Sequence, residues 1–420
     1  MTDHIEVHVS TGSAGLLAGR LYPHYRRGSE SASFSYDDRY LAEPGAYELD
    51  PVLPLIAGTL QTPVGRALFG AFADSSPDRW GRTLIRRAER ARAALAGTAP
   101  RSVTEVDLLL GVRDDLRQGA LRFRLGGQDT FLASEDSGIP VLADLPVLLD
   151  IAARAEEDAA DYEELRLLLR VGSSLGGARP KAHVLDSNGR IAIAKFPSES
   201  SDTWNVMAWE KVALDLARES GIEVPDSQLV RAGERNVLVV DRFDRAGGSR
   251  IGYVSAMTML EAADGDRRSY LEIAEVIEEH SPSVVGELRQ LWRRMAFSIL
   301  ISNTDDHLRN HGFLHDRGNS WRLSPAFDMN PNPAPGTKYL STAIDFESTR
   351  ASVATLLEVA PYFRLRADDA LEVLSQVVRA VMRWRSVAAA HGLKARDLAT
   401  MEPAFVHAEA ALARQLAPER

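Results

Sequence analysis

Alternating apolar and polar residues predict that the chain opens with a sheet. A period of two, the pattern of a strand with one buried face, occurs at residues 4–9, 15–22 and 31–36. Pro77 and Asp78 place a proline and an acid where a helix would start. Residues 119–125 predict a further strand that closes this first part of the chain.

The remaining pattern predicts a mixed segment followed by a helical one. Apolar strands are predicted in two pairs, at residues 182–185 with 190–196 and at residues 227–232 with 236–243. An amphipathic helix at 204–219 lies between the pairs. Beyond about residue 253 the pattern is helical almost to the end, including a long helix at 284–301. The chain is therefore predicted to be an α+β protein with a mixed N-terminal lobe and a helical C-terminal lobe.

Composition shifts suggest where the parts meet. The segment at 126–138 is rich in Gly, Ser and Asp, which marks a candidate boundary. We predict three parts: an N-terminal subdomain at 1–127, a lobe with a Gly-rich loop at 128–245 and a helical lobe at 246–420.

Composition and charge narrow the class of protein. The chain has 420 residues, of which 45% are hydrophobic and 26% charged, as in ordinary globular proteins. A net charge of −10 argues against a protein that wraps nucleic acid over its whole surface. No apolar run approaches the roughly 20 residues that span a bilayer, and the first residues lack the pattern of a secretory signal. Because cysteine is absent as well, we expect a cytoplasmic protein without a membrane partner.

Three polar residues in the C-terminal half suggest phosphoryl transfer. Asp305 and Asn310 stand in the spacing D-x-x-x-x-N, and Asp328 follows after a hairpin-like segment. Protein-kinase folds arrange a catalytic carboxylate, a metal-binding amide and a metal-binding carboxylate in this order. A carboxylate can accept the proton of a substrate hydroxyl, while amide and carboxylate oxygens suit Mg²⁺. The expected fold is therefore two-lobed and protein-kinase-like.

The N-terminal half offers matching candidates for nucleotide binding. The Gly-rich loop at 172–181 departs from the P-loop template, because Gly177 is followed by Ala178 rather than by lysine. Lys195 ends an apolar strand and is predicted to share a strand face with Ile191 and Ile193. It could pair with Glu210 on the next helix, as the strand lysine of a kinase does. The alternative is an edge-strand lysine that points into solvent, and the two interpretations are about equal for this residue alone.

The cluster at Asp305, Asp306, His307 and Asn310 also permits a metal-dependent hydrolase. That hypothesis needs further ligands, and His311 and His315 are the ones at hand. The kinase hypothesis explains the Gly-rich loop, Lys195, Glu210 and Asp328 as well, so we prefer it. His307 is then expected to hydrogen-bond in the nucleotide site rather than to bind a metal.

With these residues assembled, the chain resembles the HipA family of serine/threonine kinases, the toxins of bacterial toxin–antitoxin pairs. The resemblance runs over nearly the whole chain. Its most specific parts are the block from Asn303 to Asn310 and the block from Pro325 to Asp328. More modest parts are the Gly-rich loop, Lys195 to Pro197, Glu210, and the run from Asp241 to Arg245.

The resemblance implies a role for each matching residue. Asp305 would be the catalytic aspartate, Asn310 and Asp328 the Mg²⁺ ligands, and Lys195 the clamp on the phosphates of ATP. Asp241 and Phe243 would lie at the adenine side, and Ser174, with Ser173 as the alternative, would be autophosphorylated. The resemblance also assigns an ATP-binding role to Ser174, Gly176, Gly177, Lys181, Glu210 and His307, and to both metal ligands.

The resemblance also implies partners and a biological role. Family members bind a HipB-like helix-turn-helix antitoxin, contact operator DNA only through it, and phosphorylate a protein such as an aminoacyl-tRNA synthetase to arrest growth. Two other hypotheses stay open from the sequence: a catalytically weak kinase-fold co-repressor that acts through an antitoxin, and a small-molecule kinase.

Overall fold

The computed structural model describes residues 4–10, 15–132, 138–172, 177 and 179–417. They form two compact units. Unit 1 comprises Met1–Ser201, Ala232–Val254 and Arg317–Asn319, and unit 2 comprises Asp202–Arg231, Ser255–Asp316 and Ser320–Arg420. The division of the chain into three parts at residues 127 and 245 stays a prediction.

The strands and helices follow one another along the chain. The strands are β1 (Ile5–Val9), β2 (Leu16–Arg26), β3 (Ser29–Tyr36), β4 (Leu60–Gln61), β5 (Leu121–Leu125), β6 (Lys181–Leu185), β7 (Ile191–Lys195), β8 (Ser227–Ala232), β9 (Arg235–Asp241), β10 (Arg245–Ala246), β11 (Ser249–Arg250), β12 (Tyr253–Ser255), β13 (Gly312–His315) and β14 (Trp321–Leu323). The α-helices are α1 (Asp38–Leu41), α2 (Gly70–Asp74), α3 (Arg79–Leu95), α4 (Glu105–Leu110), α5 (Leu145–Glu156), α6 (Tyr162–Gly172), α7 (Val206–Glu219), α8 (Ala256–Met259), α9 (Tyr270–His280), α10 (Val284–Leu300), α11 (Val353–Glu358), α12 (Ala367–Val381), α13 (Trp384–Ala390), α14 (Ala395–Phe405) and α15 (Ala408–Leu416).

The first sheet of unit 1 confirms the strands predicted near the start of the chain. It is antiparallel with the order β4-β3-β2-β1-β5. Phe34 of β3 lies fully buried, with its ring edge-on to those of Phe69 and Phe72. Gly19 of β2 allows this packing, because a Cβ there would lie 2.4 Å from the Phe34 ring and 2.3 Å from a backbone oxygen.

Helix α3 begins where the proline and acid predicted a helix. Asp78 is its N-cap, and the Asp78 carboxylate accepts a hydrogen bond from the Gly81 backbone N–H at 2.6 Å. This satisfies one of the backbone donors that a helix start leaves without an intrahelical partner. Helix α3 packs against α6, which ends at Gly172, the first residue of the Gly-rich loop.

A second sheet of unit 1 carries Lys195. Strand β7 pairs antiparallel with β6 on one side and with β9 on the other. Along β7, Ala192 and Ala194 are buried while Ile191, Ile193 and Lys195 are half-buried. Lys195 therefore shares a face of the strand with Ile191 and Ile193, as predicted.

Unit 2 is predominantly helical, as the pattern predicted. Helix α10 is its centre, and every residue from Leu291 to Leu300 is buried. Helices α9, α12 and α15 pack against it. A second cluster joins α7, α13 and α14 through Trp209, Trp384 and Phe405, whose rings contact one another. The α+β fold class, with a sheet-rich N-terminal region and a helical C-terminal region, is thereby confirmed.

Within the described ranges, none of the helices combines the length and the apolar character that a bilayer crossing requires.

Candidate active site

The loop that carries Asp305 follows directly from the end of α10. Ser302 adopts a left-handed conformation with φ of 54°, and the Asn303 N–H donates to the Ser298 carbonyl at 2.8 Å, which ends the helix. The chain then reaches Asp305, which is exposed. A base that must meet a substrate hydroxyl needs such access.

Asn310 is fixed to the same loop by its own side chain. It ends a 3-10 turn, Leu308–Asn310, and its Nδ2 donates to the backbone oxygen of Asp305 at 3.0 Å. Because Nδ2 is used in this way, the amide oxygen Oδ1 is the atom that can bind a cation. Asn310 is 7% exposed, so its orientation is set by the protein rather than by solvent.

Asp306 is buried in a hydrogen-bond network. The Tyr270 hydroxyl donates to its carboxylate, the Ser298 hydroxyl donates to it at 3.0 Å, and His311 Nε2 lies 3.1 Å away. The Thr342 hydroxyl donates to the Asp306 backbone oxygen at 2.7 Å. Burial alone would raise the pKa of Asp306, but these neighbours outweigh it and hold the pKa below its usual value.

Three of the ligands that the hydrolase hypothesis would use contact other groups in the structure. Asp306 and His311 lie together in the buried cluster, and the His315 ring packs edge-on against Trp321, with ring centroids 5.3 Å apart. In the part of the chain that the structure describes, no three His, Asp or Glu residues form a group suited to a metal ion.

Asp328 follows the β13–β14 hairpin and has an unusual backbone conformation. Its φ is 57°, in the left-handed region that non-glycine residues adopt at a cost of about 1–3 kcal/mol. Such residues concentrate in active sites, where the surrounding structure holds them in place. The Asn330 amide Nδ2 donates to Asp328 Oδ1 at 3.3 Å.

Hydrogen bonds connect the Asp328 segment to the Asp305 loop within unit 2. The Asn330 backbone N–H donates to Asn303 Oδ1 at 3.4 Å, and Asn303 Nδ2 donates to the Ser298 hydroxyl at 3.4 Å. Ser298 in turn donates to Asp306. The segment after Asp328 and the buried Asp306, which follows the catalytic candidate in the chain, therefore belong to one connected network.

Asn310 and Asp328 fit a magnesium ion by their chemistry. An amide oxygen and a carboxylate are hard oxygen ligands, and Mg²⁺ binds proteins through few such groups and keeps its other positions for water and phosphate. The role of these two residues as Mg²⁺ ligands stays a prediction.

Lys195 lies on an interior strand, contrary to the edge-strand alternative. Its backbone neighbours are Lys181 on β6 and Leu238 on β9. It is half-buried, on the face of β7 that Ile191 and Ile193 share. Glu210 lies on α7 of unit 2 and is 1% exposed. The ion pair between Lys195 and Glu210 stays a prediction.

Lys181, at the end of the Gly-rich loop, is buried against α3. Its ammonium lies 2.5 Å from the Asp78 carboxylate, and both side chains are 3% exposed. Gly177 accepts a backbone hydrogen bond from Trp80 at 3.5 Å. Lys181 therefore contacts the capping residue of α3. The predicted residues Ser173, Ser174 and Gly176 lie outside the described residues.

The run from Asp241 to Arg245 begins at the last residue of β9. The Asp241 carboxylate lies 2.8 Å from the Arg190 guanidinium, and the Phe243 ring lies 6.3 Å from that of Tyr253. His307 has a buried Nδ1 that finds no hydrogen-bond partner within the described part of the chain. The nucleotide-binding roles of Asp241, Phe243 and His307 stay predictions.

Sequence reasoning missed a buried cluster in this run. Arg242 and Asp244 form an ion pair at 2.6 Å, with side chains 1% and 5% exposed. Arg242 also donates to the Leu116 backbone oxygen at 2.6 Å and lies 3.0 Å from His183 Nε2. His183 Nδ1 in turn lies 2.9 Å from the Val171 backbone oxygen, which identifies Nδ1 as the protonated nitrogen. The alternating charges of the run were visible in the sequence, but their burial was not.

Comparison with solved structures identifies the fold. One chain of the HipA, HipB and operator DNA complex of a Shewanella oneidensis MR-1 toxin–antitoxin system superposes with a TM-score of 0.63. The alignment covers 96% of this chain and 95% of that chain at 16% identity. The fold is therefore that of HipA.

The family follows from the sequence comparison. The model of the HipA-like C-terminal domain matches residues 173–385, about half of the chain. The chain belongs to this family, which confirms the resemblance drawn from its motifs.

Two curated relatives share part of the chain. A putative kinase of Haemophilus influenzae is 30% identical over 183 residues, which are 38% of this chain and 52% of that protein. The putative kinase Y4dM of Sinorhizobium fredii is 24% identical over 218 residues, 48% of this chain and 52% of that protein. The chain thus spans about half the length of each relative.

Proposed function

We propose that this chain is an ATP- and Mg²⁺-dependent serine/threonine protein kinase. One observation carries the proposal: the Asn310 amide donates a hydrogen bond to the backbone of the exposed residue Asp305. The proposed base and the proposed metal-binding amide therefore share one loop. Membership of the HipA-like family and the names of the two curated relatives support it.

The residues divide the work of phosphoryl transfer between them. Asp305 accepts the proton of the substrate hydroxyl while the hydroxyl oxygen bonds to the γ-phosphorus of ATP. The bond between the γ-phosphorus and the oxygen that it shares with the β-phosphate breaks, and ADP leaves. Lys195 places a positive charge against the phosphates. Asn310 and Asp328 would hold Mg²⁺, which supplies charge neutralisation on the phosphate oxygens when bound. The network around Asp306 keeps the loop in place.

The proposal is tested by incubating the purified full chain and a bacterial lysate with ATP labelled on its γ-phosphate. We expect label on serine or threonine of one or a few proteins, and no label with Asp305→Asn. Because Asp305 is exposed, this variant should melt at the wild-type temperature, which serves as the control. Label on a metabolite alone would indicate a small-molecule kinase, and nucleotide binding without any transfer would indicate a co-repressor; either result contradicts the proposal.

We also propose the regulation that the family resemblance implies. Autophosphorylation of Ser174, or of Ser173, would silence the kinase, and a HipB-like antitoxin would bind it and link it to operator DNA. The solved HipA complex with HipB and operator DNA supports this partner. The phosphorylated target would be a protein of translation, such as an aminoacyl-tRNA synthetase, and its modification would arrest growth. Phosphopeptide mapping of the purified protein checks the autophosphorylation. Co-purification with a helix-turn-helix protein encoded by a neighbouring gene checks the antitoxin.

A further inference from the structure

Asn330 lies two residues after Asp328 and is held by two hydrogen bonds. Its Nδ2 donates to Asp328 Oδ1 at 3.3 Å, and its backbone N–H donates to Asn303 Oδ1 at 3.4 Å. Its amide oxygen, Oδ1, is buried and has no hydrogen-bond partner among the residues that the structure describes.

A buried amide oxygen without a partner needs an explanation. Native proteins leave few such acceptors, because removing the group from water without replacing its hydrogen bond costs free energy. Rotating the amide does not solve the problem, since Oδ1 would then face the carboxylate oxygen of Asp328 and two acceptors would repel each other. Nδ2 must therefore face Asp328, and Oδ1 is the atom that is left without a partner.

A cation beside Asp328 satisfies this oxygen. Asparagine amide oxygens are hard ligands of divalent cations, and Asn310 provides one already in the proposed site. A water molecule would only donate a hydrogen bond to Oδ1, whereas a divalent cation would also balance the charge of the Asp328 carboxylate.

We propose that Asn330 is a further ligand of the divalent cation that Asp328 binds, through its Oδ1 atom. This inference rests on the proposed function, because it assumes the cation site of Asn310 and Asp328. It assigns to the motif Asp328-Met329-Asn330 two ligands where the sequence analysis found one.

The test measures the affinity of the full chain for Mn²⁺, from the electron paramagnetic resonance signal of the free ion, with and without a non-hydrolysable ATP analogue. Asn330→Leu keeps the shape of the side chain and removes both Oδ1 and the Nδ2 donor to Asp328, and we expect its Mn²⁺ affinity to fall about tenfold or more. Asn330→Asp removes the same donor but keeps an oxygen, and it should bind Mn²⁺ at least as tightly as the wild type because the cation balances both carboxylates. This result would assign the loss in Asn330→Leu to the oxygen rather than to the donor. If Asn330→Leu does not fold, two other variants test the proposal. Mn²⁺ affinity equal to the wild type in Asn330→Asp, together with reduced Mn²⁺ affinity in Asn330→Ala, would also identify Asn330 as a ligand.

Asn332 provides the matched control. It lies in the same segment, but its Oδ1 already accepts a hydrogen bond from the Ala334 backbone N–H at 2.9 Å. Asn332→Leu should leave the Mn²⁺ affinity unchanged, whereas a general disturbance of the segment would lower it in both leucine variants.

Asp328→Asn separates failure of the inference from failure of the proposed function. If Asp328→Asn loses Mn²⁺ while Asn330→Leu binds it as the wild type does, Asn330 is not a ligand and its oxygen binds water. If Asp328→Asn also keeps the wild-type affinity, the proposed cation site itself is wrong. A loss in both Asp328→Asn and Asn330→Leu, with Asn332→Leu unchanged, supports the proposal.

Discussion

Asp305 and Asp306 are neighbours in the chain with opposite environments. Asp305 is exposed, whereas Asp306 is buried and accepts hydrogen bonds from Tyr270 and Ser298. An ionised carboxylate is stable in a core only when such donors replace water. Asp305 is therefore accessible for reaction, while the hydrogen bonds of Asp306 hold the loop in place.

The Tyr270 hydroxyl is the group whose loss should show how much this support contributes. Tyr270 is fully buried and donates to the Asp306 carboxylate. Tyr270→Phe leaves a charged acceptor with one donor fewer, so we expect the free energy of unfolding in urea to fall by about 1.5–3 kcal/mol. Tyr25, which is 55% exposed, is the control, and Tyr25→Phe should change little. Equal stability of Tyr270→Phe and the wild type would mean that the network does not hold the loop.

For individual residues, the sequence predicted the candidate catalytic and metal-binding side chains but not the hydrogen bonds that hold their loop. The spacing of Asp305, Asn310 and Asp328 was informative because their chemistry depends on residue type. Asp306 could not be assigned in the same way, because Tyr270 lies far from it in the chain and only folding brings their side chains together.

Secondary structure elements give each candidate residue its surroundings. The period of two along β7 predicted which residues share a face with Lys195, and the structure agrees. Whether β7 is an edge strand depends on its pairing with β6 and β9, which no local pattern records. Local periodicity thus predicts which residues share a face of a strand, whereas the neighbouring strands depend on the topology of the whole sheet.

The segment that follows β9 contains a buried cluster of charges. Asp244 is fully surrounded by protein and pairs with Arg242 and Arg245. Burial would raise the pKa of Asp244, but the two guanidinium groups outweigh it and lower the pKa below its usual value. Because the folded-state pKa lies below the unfolded one, Asp244 stabilises the fold above about pH 4 and loses this effect as the pH falls further.

Replacing Asp244 should therefore change both stability and its pH dependence. Asp244→Asn leaves Arg242 buried without its partner, and we expect a loss of about 3–5 kcal/mol in the free energy of unfolding at neutral pH. Below about pH 4 the wild type should lose stability more steeply than the variant. Urea unfolding at a series of pH values measures both effects.

An exposed ion pair provides the comparison for Asp244. Asp226 lies 3.0 Å from Arg218, and its side chain is 83% exposed. Asp226→Asn should cost less than about 1 kcal/mol. A similar small loss in Asp244→Asn, with an unchanged pH profile, would show that the buried cluster is not important for stability.

At the scale of the whole molecule, the hydrophobic pattern predicted the fold class and the motifs predicted the family. A sheet-rich N-terminal region and a helical C-terminal region follow from periods of two and of about 3.6 residues. The long-range pairing did not follow from the pattern. Strand β1 pairs with β5, so that Ile5 lies beside Leu125, and unit 1 takes in residues 232–254 from later in the chain. Such contacts depend on packing between distant segments.

The most direct test of the central claim is a single-turnover measurement of phosphate transfer from ATP, made together with the affinity for a non-hydrolysable ATP analogue. Both quantities are compared between the wild type and Asp305→Asn in the presence of Mg²⁺. The account predicts that the transfer rate falls by about 10²–10⁴-fold while the affinity for the analogue is unchanged. Transfer at the wild-type rate in Asp305→Asn, or no transfer by the wild-type protein at saturating ATP and Mg²⁺, would contradict it.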